Sequence, residues 1–303
     1  MTAVYIIADI EGSTGCLKRE DAQLFNDGWV RACVEMSRDI DLIGRKLLSS
    51  GIRRVRVKDF HRSGFNLFRE LIDEGIELDQ GYEIGPVTGL GDATGFDFLL
   101  MTGMHAASGT EGFLPHTLTS RFSSVTVNGR LLTEAELFAA SVAPCGIIPA
   151  FFSGCPTACN QAGDAIKNIR TFAVEKPLSQ NPETVRHNIA NAALSSLARI
   201  YEKPYVPSGP FSVNLKMRDG SKAAAKLRKT WKMAGDADEL NFACDNIHTL
   251  YWQMIRLAYL TPFVEAHLLS SLMFANMGGR LAHRWARFRA KRLGLFKKAG
   301  QLS

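Results

Sequence analysis

The sequence predicts an α/β fold, with a mostly parallel central sheet, flanking helices and a smaller C-terminal α+β unit. Short β-branched runs alternate with helical patterns through the first half, the rhythm of βαβ units. Three of the predicted strands run directly into residues able to bind a metal, as expected where an open parallel sheet places its ligands. A proline-rich break at 203–210 then separates a second run of strand and helix patterns.

Val4–Ala8 reads as the first strand. Cys33–Ser50 carries apolar residues at helical spacing and stops at Gly51, a residue suited to a helix C-terminus. Arg53–Lys58 alternates basic residues with valine as a second strand, and Phe65–Ile72 suggests a helix. Residues 81–95 hold six glycines or prolines and predict a loop, ahead of a buried apolar strand at Phe96–Thr102. Ser124–Val127 with the Asn128-Gly129 turn predicts a hairpin, followed by a helix over Thr133–Ala143. Strands at Ile147–Phe152 and Thr171–Val174 flank a helix at Ala158–Lys167. Asn181 and Pro182 begin a long helix reaching Tyr201. Beyond the break come a strand at Phe211–Met217, a helix at Ser221–Arg228 and an apolar helix over Ala237–Tyr259. The expected division is a catalytic α/β unit over 1–205, a smaller unit over 206–262 and a helical extension over 263–303.

With 303 residues, 46% of them hydrophobic and 22% charged, the chain can bury one large or two ordinary cores and has the composition of a folded protein. The start of the sequence carries no basic leader or cleavage pattern, so a cytoplasmic location is expected. Six scattered cysteines fit a reducing compartment. The net charge of +6 is misleading, because 280–298 contains eight basic residues and no acidic one, leaving 28 basic against 30 acidic residues before it. A nucleic-acid binder would need a basic patch on the folded body, so nucleic acid is not expected as a partner.

The chemistry collects at strand ends. Asp9 and Glu11 are two apart in an extended segment, so both carboxylates can face one ion, although such a pair can also be solvated or cap a helix. The second strand leads to Asp59 and His61, and the Phe96–Thr102 strand leads through Gly103 to His105. Carboxylates with imidazoles suit zinc or another divalent transition ion. Glu134 and Glu136 open a helix, where the dipole alone accounts for acidic residues. From spacing, His116 is a ligand, a general base or a bystander.

Together these residues resemble the bacterial zinc D-aminopeptidases first associated with dipeptide-transport operons. The resemblance rests on Asp9-Ile10-Glu11-Gly12 with Gly15, Val57-Lys58-Asp59-Phe60-His61, Gly103-Met104-His105-Ala106 with His116, and Asn128-Gly129-Arg130 leading to Glu134. It runs from residue 3 to about residue 260. It implies two zinc ions per subunit: Asp9 bridging both, Glu11 and His61 completing one, His105 and Glu134 the other, with His116 catalytic. It also implies short peptide substrates and a homo-oligomeric ring, a decamer being one candidate size. The sequence departs from the family pattern at Gly154-Cys155-Pro156, where an acidic pair is expected, and in its extension beyond Thr261. Asp59 is expected either to orient His61 or to be a structural acid.

The extension interleaves Leu281, Trp285, Phe288, Leu295 and Phe296 with arginines and lysines, a basic amphipathic pattern. Oligomer contacts already implied by the resemblance favour a helix packed on its own assembly over contact with a membrane surface. Two other functions are weighed. The Asp9–Thr14 segment also looks like a class III nucleotide cyclase strand, but that leaves His61, His105, His116 and Glu134 without a role. A non-catalytic, ring-forming peptide-binding protein would keep the metal ligands for structure.

Overall fold

The computed structural model describes residues 2–198 and 203–296. In chain order the elements are β1 (Ala3–Ala8), α1 (Asp27–Ser49), β2 (Arg54–Asp59), β3 (Ile76–Asp79), β4 (Phe98–Met104), β5 (Phe122–Val127), β6 (Arg130–Leu131), α2 (Glu134–Val142) and β7 (Ile148–Gly154). There follow α3 (Pro156–Ala165), β8 (Arg170–Ala173), α4 (Pro182–Ser196), β9 (Phe211–Met217), α5 (Ser221–Trp231), β10 (Glu239–Cys244), α6 (Ile247–Tyr259), α7 (Pro262–Ala266) and α8 (Leu268–Arg292). Six strands form a parallel sheet in the order β3-β2-β1-β4-β7-β8. An antiparallel sheet, β10-β9-β5-β6, packs beside it.

Every residue of β1 is buried, as a central parallel strand covered on both faces requires. Alternate side chains serve two cores. Tyr5 and Ile7 join Leu99, Met101, Leu137, Phe138 and Met254 on one face, while Val4 and Ile6 join Trp29, Ile40, Val57 and Ile189 on the other. The chain leaves β1 towards β2 and β3, then crosses back to place β4 on the opposite side of β1. The strand order therefore reverses between β1 and β4, and a crevice opens at their carboxyl ends.

One expected helix is absent and another is shortened. Residues 65–72 form extended chain and one 3-10 turn at Arg69–Leu71, because the N–H groups of Asn66 and Leu67 donate to the Asp59 carboxylate and that of Phe68 donates to Ser37 Oγ. Those bonds compete directly with helical ones. Ala237–Tyr259 divides into β10, paired along its length with β9, and α6, which Asn246 caps by accepting from Thr249 N–H at 2.9 Å. The small sheet also takes β5 and β6 from ahead of residue 206, joining the two expected units through one set of strands. The predicted end of α4 at Tyr201 lies outside the described residues.

The extension folds back on its own chain. Trp285 stacks on Trp29 with ring centroids 6.2 Å apart, and Arg289 grips both Asp27 carboxylate oxygens through its Nε and Nη2 at 2.8–3.0 Å. Ala282, Ala286 and Ala290 are buried beneath α8. Lys297 and Lys298 lie outside the described residues. No described helix is long and apolar enough to cross a membrane.

One buried cation fixes the loop that follows β1. Arg186 on α4 donates to Asp39 Oδ1 at 2.8 Å, Glu35 Oε2 at 2.5 Å and Thr14 Oγ1 at 3.2 Å, while Asp39 also accepts the Thr14 N–H at 2.9 Å. Burial pushes the Asp39 carboxyl up, against the pull of Arg186. Arg186→Ala would strand that buried carboxylate, and the expected loss is about 3–5 kcal/mol in urea unfolding at pH 7. A loss below about 1 kcal/mol, the worth of an exposed pair, would show that the network contributes little.

Candidate metal centre

β1 and β4 approach too closely for ordinary side chains. Asp9 N–H donates to Thr102 O at 2.9 Å and Gly12 N–H to Gly103 O at 2.7 Å, carrying the pairing past the end of β1. Gly103 has φ +73°, and a Cβ there would overlap the Asp9 carbonyl oxygen; a Cβ on Gly12 or Gly154 would overlap the Met104 carbonyl. These glycines bring the strand ends together.

All five proposed ligands converge in the resulting crevice. Asp9, Glu11, His61 and Glu134 are 4% exposed and His105 is 5% exposed, so three carboxylates share one almost dry site with two imidazoles. His61 Nδ1 lies 3.0 Å from Asp9 Oδ1 and 3.1 Å from Glu11 Oε2. His105 Nε2 lies 3.3 Å from Asp9 Oδ2 and 3.5 Å from Glu134 Oε1. Asp9 thus stands between two clusters, one with Glu11 and His61 and one with Glu134 and His105. The hairpin brings Glu134 to the head of α2, where Thr133 and Glu136 form a capping box and Glu134 Oε1 accepts Leu118 N–H at 2.6 Å.

The outer nitrogens of both imidazoles are already committed. His61 Nε2–H donates to Ala22 O at 3.1 Å, and His105 Nδ1–H donates to Ala106 O at 3.1 Å. The inner nitrogens, facing carboxylates, then need either a second proton or a cation between the opposed lone pairs. Without a cation the ring must be charged. Burial by itself would push the His61 pKa down, but Glu11 and Asp9 lift it to about 10; Glu134 and Asp9 likewise raise His105 well above its usual range. Glu11 Oε2 and His105 Nε2 remain buried without a hydrogen-bond partner. Orphaned donor atoms of this chemistry fit a divalent ion better than a set of hydrogen bonds.

His116 belongs to the second cluster. Its ring stacks on that of His105 with centroids 3.6 Å apart, and one donor atom from each of His105, His116 and Glu134 falls within a common 4.8 Å. Nδ1–H donates to Leu114 O at 2.8 Å, while burial and the neighbouring His105 charge lower its pKa. His116 is therefore a neutral imidazole with Nε2 open.

Asp59 does not touch the His61 ring. Its carboxylate accepts from the N–H groups of Asn66 and Leu67, from Asn66 Nδ2 at 2.9 Å and from His61 N–H at 3.3 Å, so it shapes the loop that carries His61. The acid that a cyclase would need for a second metal is thus engaged elsewhere. Cys155, where an acidic residue was expected, is buried in the core away from the cavity wall.

The five residues and His116 line a cavity of about 690 Å³, shared with Phe25, Phe60, Tyr82, Leu114, Tyr259 and the α8 residues Ala275, Gly278, Gly279 and Ala282. Sequence reasoning missed the Ala22 carbonyl, which carries no side-chain signal, and the α8 contribution, whose small residues read only as helix filler. Tyr82 sat within the predicted loop. Lys58 holds that loop by donating to Asp79 Oδ1 at 2.9 Å and to the Gly81 carbonyl.

Residues 2–256 match the family profile described as D-aminopeptidase. Comparison with curated proteins gives no match. Among solved structures, the Zn-dependent D-aminopeptidase DppA from Bacillus subtilis, described as a self-compartmentalizing protease, is similar at 18% identity and a TM-score of 0.78. The likeness covers 86% of this chain and 97% of DppA, and shows the same fold.

Gly103→Ala should force Asp9 away from His105. The expected outcome is a loss of several kcal/mol in stability, beyond the roughly 1–3 kcal/mol of ordinary overpacking, since backbone rather than a flexible side chain stands in the way. A variant that melts within a degree of the parent would show that the strand ends can separate at little cost.

Proposed function

We propose, since the chain belongs to the D-aminopeptidase family of metal-dependent peptidases, that it is a two-metal zinc aminopeptidase removing the N-terminal residue, a D-amino acid, from short peptides or amino-acid amides. The observation that carries this is the state of His61 and His105: each gives its outer N–H to a backbone carbonyl and turns its inner nitrogen onto buried carboxylates. Asp9 would bridge the two ions, with Glu11 and His61 on one and His105 and Glu134 on the other. D-selectivity and zinc follow from the family and from the DppA description.

Two divalent ions held there would polarise the scissile carbonyl and bring the pKa of a water near neutrality. The chain's own groups do the rest. His116, with Nδ1–H fixed by Leu114 O, presents Nε2 as the atom that takes a proton from water and returns it to the departing amine. A depressed pKa keeps it in the accepting form at pH 7. Phe60, Leu114 and Tyr82 line the cavity beside it and give it an apolar wall. The substrate's free amino group would meet the carboxylate-rich floor.

We also propose a homo-oligomeric ring in the cytoplasm. Phe263, Leu269, Met273, Phe274 and Met277 on α7 and α8 are 54–71% exposed, an apolar surface that another copy would cover. All six cysteines are free thiols. Light scattering on the full chain should read a multiple of the monomer mass, and a monomer at tens of micromolar would remove the ring.

The enzyme is tested with zinc-loaded protein on D-Ala and L-Ala amides and peptides, with metal analysis alongside. Expected are about two zinc per chain, faster D- than L-hydrolysis, and loss of one equivalent in His61→Ala. His116→Ala should keep both equivalents and lose roughly 10²–10⁴-fold in kcat/KM. Loss of an equivalent in His116→Ala would make it a ligand rather than the base. No turnover with any divalent metal would end the peptidase proposal.

A further inference from the structure

The helix α8 lies beyond the family match, which ends at residue 256, yet it borders the same cavity as the metal centre. Its position is fixed by specific contacts. The Asn276 amide clasps Tyr82 in both directions, accepting from its N–H and donating to its carbonyl at 2.9 Å each. A Cβ on Gly279 would press into the Phe65 ring, so the helix sits as near to that loop as its backbone allows. His283 Nδ1–H donates to Phe65 O at 3.1 Å, and the Trp285–Trp29 stack with the Arg289–Asp27 pair anchors the next two turns.

From this anchored helix Ala275, Gly278, Gly279 and Ala282 face the cavity. Their spacing of three, four and seven residues is that of one helical face. On the floor of the same cavity, Glu11 Oε2 and His105 Nε2 are buried and unpartnered, so what the small residues border is a ligand space. Small side chains keep about 690 Å³ open, within the roughly 300–1,000 Å³ typical of small-molecule sites.

We propose that α8 is a wall of the substrate site, contributed in cis by the extension, and that its small residues set how long a peptide this chain accepts. This rests on the aminopeptidase reading of the same site. With the N-terminal residue at the metals, the peptide's remaining residues run towards α8, and the space in front of Gly278 and Ala275 admits only a few of them. A larger side chain there shortens the site without touching a metal ligand.

The test uses the full-length, zinc-loaded chain and a series of D-Ala-initiated di-, tri- and tetrapeptides. Gly278→Leu suits it, since a Cβ at Gly278 meets no atom within 4 Å, and Ala275→Leu serves as a second variant at an exposed position. Leu281→Ser, exposed on the same helix and outside both the cavity lining and the apolar oligomer surface, is the control. Both wall variants should melt like the parent and keep dipeptide turnover, while tetrapeptide kcat/KM falls by about tenfold or more relative to dipeptide. Leu281→Ser should leave that ratio unchanged. A parental ratio in both wall variants, or an equal fall on all peptides, overturns the role of α8 while leaving the enzyme intact. A wild type that cleaves none of the peptides instead removes the aminopeptidase reading, and this inference with it.

Discussion

Three carboxylates buried around two imidazoles impose the constraint on which the rest of the structure depends. Asp9, Glu11 and Glu134 are each 4% exposed, and isolated burial of one such charge costs far more than a hydrogen bond returns. The charges of the neighbouring His61 and His105 rings hold the Asp9 carboxyl well below its usual range against the upward push of burial. The site therefore needs positive charge within it, as protons on the two rings or as metal. The backbone carbonyls of Ala22 and Ala106 favour metal, because each fixes the tautomer that leaves the inner nitrogen free.

Much of the surrounding fold can be read as support for that charge. The reversal of strand order between β1 and β4 opens the crevice, and Gly12, Gly103 and Gly154 allow its edges to touch. Asp59 shapes the loop behind His61, and Arg186 pins Thr14, three residues past Glu11. None of these residues lines the cavity. Each restricts where one of the proposed ligands can move, and side chains placed on strand ends are held more tightly than side chains on free loops.

The sequence disclosed the strands because each central one is a continuous apolar run, and it disclosed Asp9, His61 and His105 because they follow such runs directly. Glu134 was accessible only through the family resemblance, since an acid at a helix start has a sufficient local reason to be there. The failures have physical causes too. Residues 65–72 carry enough apolar spacing for a helix, but the Asp59 carboxylate takes the Asn66 and Leu67 N–H groups that a helix would use. β10 reads as helix because its partner, β9, is supplied by a different stretch of chain. Long-range pairing of this kind overrides propensity and leaves no mark on the segment itself.

The extension's basic amphipathic pattern is compatible with a membrane surface or, as favoured, with a helix packed on protein, and Arg289 and Arg287 are paired with Asp27 and Glu70 on the body while Ala282, Ala286 and Ala290 are buried against it. The residues that point outwards in its first half are apolar instead: Leu269, Met273, Phe274 and Met277. One helix thus has two working faces, a small-residue face towards the cavity and a large apolar face away from it. A helix held on both sides would be a stiffer wall than one held on a single side, since its outer turns could no longer fray into solvent. Covering the apolar face by another copy would therefore tie assembly to the shape of the cavity through α8.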